Sequence, residues 1–194
     1  MTNVRSYTDK ELLERARNIE NFSGFPEDYW LLGVRSSEDE NNKFDDKIYL
    51  FKGEEFGGIV TSATTNAGDP ALKGFEKYSD KGTFVLKSDF WHYNMWRYGL
   101  HKGKMPALRQ ASSVVGYRDG NKNNKNEEIG NPVKGWFGIN FHASSYNLSS
   151  KHIREDIGWW SAGCQVVNDL QKYNKILNKV KNQDRVSYLL LKEF

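Results

Sequence analysis

The chain predicts a mainly β fold with flanking helices, in a single domain. Three observations lead there. From residue 29 onward, short apolar runs alternate with turns rich in Gly, Asn and Asp, the punctuation of strands. Helical periodicity shows in only two places, one near each end. A length of 194 residues with six Trp and 14% aromatic residues supplies one sizeable core and argues against disorder. The mean hydropathy of −0.76 fits a globular fold rich in turns.

Residues 1–28 form a helix and lead-in. Thr8-Asp9-Lys10-Glu11 has capping-box spacing, and Leu12, Leu13, Ala16 and Ile19 follow on one helical face. The spacing predicts a helix near 9–21, broken by Gly24 and Pro26. Residues 29–194 form the main domain. "YWLLGVRS" suits a strand, "SSEDENNKFDD" a solvated turn, and "KIYLFKGEEFGGIVTSATT" a hairpin. "GTFVLKSDFWHYNM", "LRQASSVVGYRD", "GWFGINFHAS" and "CQVV" read as further strands, with "GNKNNKNEEIGNP" a polar loop. Asn168 is the expected cap of a last helix whose apolar face is Leu170, Tyr173, Ile176, Leu177 and Val180. "RVSYLLLKEF" closes the chain as a strand.

Composition narrows the function. No apolar run approaches the roughly 20 residues that cross a bilayer, so membrane insertion is not expected. A net charge of +3 is too weak to argue for nucleic acid. A single Cys excludes an internal disulfide. The loop Asp119, Asn121, Asn123 begins like an EF-hand, but Asn124 and Gly130 stand where Gly and Glu belong. No HxxEH or CxxC spacing occurs, and neither a cofactor nor a metal is expected.

That one thiol, Cys164, sits in "GWWSAGCQVVND", where a glycine turn enters a strand. A thiolate attacks amides and esters, but a free thiol is only about 3% ionised at pH 7. Activation needs a nearby imidazole or convergent N–H groups. Of the four His, His142 is placed best, at a strand end before the loop "ASSYNLSS". The amides of Gly163 and Cys164 would then hold an oxyanion. An imidazole-ionised thiol should alkylate quickly near pH 6. The alternative is a small core residue at a packed strand start.

"FGINFH" followed by "SAGCQVV" resembles the L,D-transpeptidase catalytic domain (YkuD-like), over roughly residues 30–167. The resemblance implies a β-sandwich-like mixed sheet, Cys164 as nucleophile and His142 as general base. It implies Ser161, Ala162 and Gly163 as the oxyanion turn, and peptidoglycan stem peptides as substrate through a thioester. Ala162, Gln165 and Ala143 depart from the family's usual His, Arg, and Gly or Ser, which marks a divergent branch. Water would resolve the thioester in a phage-lysin-like peptidase, an amine in a transpeptidase. With no apolar signal core at the N-terminus, the expectation is synthesis in the cytosol and action at the cell wall after release or export. The rival is a non-catalytic wall-binding or virion structural protein on the same scaffold.

Other residues are expected to contact substrate. His101 lies in a loop between Gly99 and Gly103, as a contact or a second imidazole. Asn140 and Gln165 flank the catalytic pair, and Trp159 and Trp160 wall the cleft. Arg109 is expected to meet a carboxylate. The aromatics of "WHYNMWRYGLH" divide evenly between a groove and a core.

Overall fold

The computed structural model describes residues 4–77 and 79–194; residues 1–3 of the expected lead-in lie outside them. Helix α1 (Asp9–Arg17) opens with the capping box: the Thr8 hydroxyl accepts from the Glu11 N–H and the Glu11 carboxylate takes the Thr8 N–H. It ends at Asn18, short of the predicted residue 21, although Ile19 is still buried.

The strands follow as β1 (Tyr29–Arg35), β2 (Asp46–Lys52), β3 (Glu55–Thr64), β4 (Thr83–Leu86), β5 (Phe90–His101), β6 (Met105–Gln110), β7 (Val114–Asp119), β8 (Val133–Gly135), β9 (Phe141–Ala143), β10 (Gln165–Val167) and β11 (Val186–Lys192). Helix α2 (Asp69–Lys73) follows β3, and helix α3 (Leu170–Val180) lies between β10 and β11. Eight strands close in the order β1-β11-β5-β6-β9-β10-β3-β2, and β4, β7 and β8 form a separate sheet. The expected sandwich is therefore corrected to a barrel. Because β1 pairs with β2 on one edge and with β11 on the other, the large sheet keeps no free edge. It is mixed: β1 runs parallel to β11 and β9 parallel to β10.

Alternation along the strands explains why β1 is an unbroken apolar run. Leu31 joins the core shared by the barrel interior and the apolar face of α3. Trp30, Leu32 and Val34 face a second core under α1, with Phe51, Trp91 and Leu189. Both faces are covered, so both parities are apolar. Trp30 packs on Phe51 and Trp91 at ring distances of 5.0 and 4.9 Å. The indole of Trp91 donates to the Ala16 carbonyl at 3.0 Å and ties α1 down. Trp91 and Trp96 are core, while Tyr98 is exposed; most of that aromatic cluster fills space and does not line a groove.

Three runs that read as single strands are split, among them "LRQASSVVGYRD", which leaves the barrel at the end of β6 and enters the small sheet as β7. "GTFVLKSDFWHYNM" crosses from the small sheet (β4) into the barrel (β5) through Lys87–Asp89, where Asp89 has φ +48°. In "GWFGINFHAS" only the two ends pair as strands. Between them, the Gln110 side-chain oxygen accepts from the N–H groups of Phe137 and Ile139, both at 3.0 Å, and replaces a strand neighbour. Helix α3 is capped by Asp169, which accepts from Gln171 and Lys172. The expected cap, Asn168, instead bonds Ser62 and the Arg154 carbonyl.

Candidate active site

His142 and Cys164 come together because their strands are parallel neighbours. β9 and β10 pair with Gln165 opposite Phe141 and Val166 opposite His142. The Gln165 N–H donates to the Asn140 carbonyl at 2.9 Å, so Cys164, just before β10, lies beside Asn140. The Asn140 N–H points at Sγ at 3.5 Å. A cavity of about 190 Å³ has Cys164, His142, His101, Ala162, Trp159 and Trp160 in its wall, together with Phe84, Phe137, Lys102 and Arg118. Six of the expected residues thus share one cavity.

The turn carrying the thiol is wound by Ser161. Its hydroxyl donates to the Cys164 carbonyl at 2.8 Å and accepts from the Gly163 N–H at 3.1 Å, a local side-chain turn. This corrects the oxyanion expectation. The Gly163 amide is already used by the Ser161 hydroxyl, which leaves the Ala162 and Cys164 N–H groups as the turn donors without an acceptor among the described residues. The glycine serves another purpose. Gly163 has φ +130°, and a Cβ there would overlap the Phe84 carbonyl oxygen. The Phe84 N–H in turn donates to the Ala162 carbonyl at 3.2 Å, so the small sheet leans directly on the Cys164 turn. Gly163→Ala is expected to cost at least about 2 kcal/mol and to slow alkylation of the thiol. Urea denaturation and iodoacetamide labelling check both effects.

The walls beside the turn are held from a distance. Asn42 accepts the Gly158 N–H on its side chain and the Ile157 N–H on its carbonyl, both at 2.8 Å. These bonds set the short 3-10 turn Gly158–Trp160 that brings Trp159 and Trp160 to the cavity.

The two imidazoles lie face to face, with centroids 4.1 Å apart and planes at 24°. Their hydrogen bonds assign opposite roles. His142 Nδ1 is 2.9 Å from the Ala143 carbonyl, which can only accept, so Nδ1 carries the proton. Nε2 is a bare lone pair, buried and without a partner among the described residues. The Asn140 side-chain oxygen accepts from the Gln110 N–H at 2.9 Å, which turns its NH₂ toward His101 Nδ1 at 3.0 Å. That nitrogen must accept, so the His101 proton sits on Nε2. One ring offers a base and the other a donor. The hairpin turn Lys102-Gly103, with φ +50° and +70°, fixes His101 at the end of β5.

The electrostatics run against the expected ion pair. Burial holds His142 down to about 3, with the His101 ring and Lys102 adding to it. His101 is held to about 4 by burial, then by Lys102 and Arg109. Burial pushes the Cys164 thiol up, offset in part by the Asn140 N–H and by Lys102. At neutral pH the pair rests as thiol and neutral imidazole. The thiol proton is directed to the Gly138 carbonyl, 3.6 Å from Sγ, and not to His142 Nε2.

Three expected contacts are corrected. Gln165 is fully buried because alternation along β10 sends it to the face opposite Cys164. It accepts from the Tyr188 hydroxyl at 2.8 Å and donates to the Gly163 carbonyl at 3.2 Å, steadying the turn from behind. Asn140 orients His101 and does not line the cavity. Arg109 lies exposed on β6, its side chain over Gly99, outside the cavity wall. Arg118 and Lys102 were missed. Lys102 adjoins His101 in a readable turn, whereas Arg118 arrives only through packing of the small sheet. His92 is structural, buried with Nε2 3.1 Å from the Lys87 carbonyl. Among the described residues no group of three or more His, Cys, Asp or Glu side chains is placed to hold a metal ion.

Compared with models of known families, with curated proteins and with solved structures, the chain matches none of them.

Proposed function

We propose that the protein is a cysteine acyl-transfer enzyme acting on peptide amides, with peptidoglycan stem peptides as its substrate class. The observation that carries the reading is that His142, whose Nε2 lone pair has no partner among the described residues, lines the same small cavity as the thiol. A buried acceptor without a partner is costly, and a thiol proton is the one it would take during attack. The stem-peptide assignment rests on the likeness of "FGINFH" and "SAGCQVV" to the L,D-transpeptidase motifs.

The steps follow from the atoms. Sγ attacks the carbonyl carbon while its proton passes to His142 Nε2. The Cys164 N–H, with the His101 Nε2–H as a second donor, meets the oxygen that gains charge. The C–N bond breaks, His142 returns its proton to the leaving amine, and a thioester remains. Water then gives an acid, or an amine gives a new amide, and either step restores the thiol. In the resting pair Nε2 carries no proton and can accept one, but the burial that holds His142 down to about 3 also weakens it as a base, so proton transfer accompanies attack on the carbonyl and does not precede it. A cavity of about 190 Å³, below the roughly 300–1,000 Å³ of drug-sized pockets, suits a residue or two of an extended peptide.

The test is incubation with purified sacculi of differing wall chemistry, followed by mass spectrometry of the muropeptides. Stem peptides shortened with gain of one water mean hydrolysis, and new crosslinked dimers mean transfer. Unchanged muropeptides in every sacculus type would overturn the reading, and retention on sacculi without chemistry would favour a wall-binding protein.

A further inference from the structure

The cavity beside Cys164 contains positive charge with no carboxylate in its wall; Asp80 lies near enough to act on Arg118 but forms no salt bridge with it. Two cations line it, Lys102 and Arg118, and among the described lining residues there is no carboxylate. Arg118 is half-buried on β7. One of its NH groups donates to the Gly82 carbonyl at 3.2 Å. Its guanidinium lies 4.8 Å from the Phe137 ring centre and 5.6 Å from that of Phe84, and those two rings stack at 4.2 Å. Among the described residues it makes no salt bridge, in contrast to the buried Arg35, which pairs with Glu128 at 2.7 Å. Lys102, exposed at the hairpin turn, likewise has no salt bridge there. The imidazoles and the thiol are neutral at pH 7, so the two cations set the potential of the cavity.

Such an arrangement has a cost unless a ligand relieves it. A guanidinium with one carbonyl partner keeps further N–H donors free, and its flat face held on aromatic rings leaves the edge for a bidentate acceptor. We propose that Arg118, assisted by Lys102, forms a carboxylate subsite, so that the acyl donor bears a free carboxylate close to the bond under attack. The subsite stands in for Gln165, whose side chain is turned into the barrel, and Arg109, which lies outside the cavity. The proposal rests on Cys164 being the accessible nucleophile, and it names the charge class of what that nucleophile attacks.

The test compares two alkylating reagents of the same size, iodoacetate and iodoacetamide. Each forms an S–C bond with Cys164 and releases iodide and the thiol proton, with no need for turnover. The iodoacetate/iodoacetamide rate ratio, divided by the same ratio for N-acetylcysteine, is expected to be about fivefold or more at low salt and to fall as salt is added. In Arg118→Met the normalised ratio should drop toward one. A second measurement uses the unaltered protein. N-acetylglycine should protect Cys164 from iodoacetamide at millimolar concentration, while the neutral N-acetylglycinamide should not. A normalised ratio near one in the wild type, a ratio unmoved by Arg118→Met, or equal protection by both glycine derivatives would overturn the subsite. Because no acyl transfer is involved, these results stand whether or not sacculi are modified. Conversely, muropeptide chemistry with a flat ratio would leave the acyl-transfer reading intact and remove only the subsite.

Discussion

Cys164→Ala should abolish turnover of acyl substrates, by roughly 10⁴-fold or more, while leaving the fold in place. The side chain is half-buried, and its polar contacts are a 3.5 Å approach from the Asn140 N–H and a 3.6 Å bond to the Gly138 carbonyl. Both are weak, so stability should change by about 1 kcal/mol or less. His142→Gln separates base from nucleophile. It should lower turnover by about 10²–10⁴ yet leave alkylation of the free thiolate at high pH much as it was. The pH dependence has a definite sign. His142 at about 3 is already deprotonated above pH 4 or so, and the thiol is raised. Wild-type alkylation should therefore climb steadily into the alkaline range, with no step between pH 5 and 7. Such a step would mean a thiolate–imidazolium pair, contrary to the buried neutral pair described above. Retained turnover in Cys164→Ala would sink the mechanism outright.

The second large effect lies away from the cavity. Glu128→Ala should destabilise the protein by about 3 kcal/mol or more, read from urea denaturation. Arg35, nearly buried, donates to Glu128 at 2.7 Å, to the Thr65 hydroxyl at 2.9 Å and to the Leu86 carbonyl at 3.2 Å. Glu128 also receives the Ser88 N–H and hydroxyl. Removing the carboxylate leaves a buried cation hydrogen-bonded only to carbonyl and hydroxyl groups, with the Asp39 and Asp46 carboxylates near but not bonded to it. Replacing both charges, Arg35→Met with Glu128→Leu, should cost much less, because the dominant penalty is the unpaired charge. A Glu128→Ala loss below about 1 kcal/mol would show that water already solvates the pair.

The parts of the site that could be read early were those written into neighbouring residues. Ser161, Gly163 and Cys164 form one local turn, and a turn of that kind leaves a trace in four consecutive residues. His142 at a strand end was legible from the polar loop that follows it. The roles of Gln165 and Arg109 were not, because each depends on which face of its strand meets the cavity, and a residue's parity relative to a distant cavity has no local signature. The protonation state was likewise out of reach. Burial of both imidazoles, their stacking, and the Gln110-Asn140-His101 relay arise only when β5, β6 and β9 lie side by side.

Sequence by itself determined the mainly β character, the capped first helix, and the local turn that carries Cys164. These follow from short-range periodicity and turn chemistry, which act within a few residues. Tertiary structure alone decided that the sheet closes into a barrel, that Phe84 braces the Cys164 turn, and that Arg118 brings a cation to the cavity. Those outcomes depend on contacts between segments 20 to 160 residues apart, where only the packing of one surface on another selects the partner.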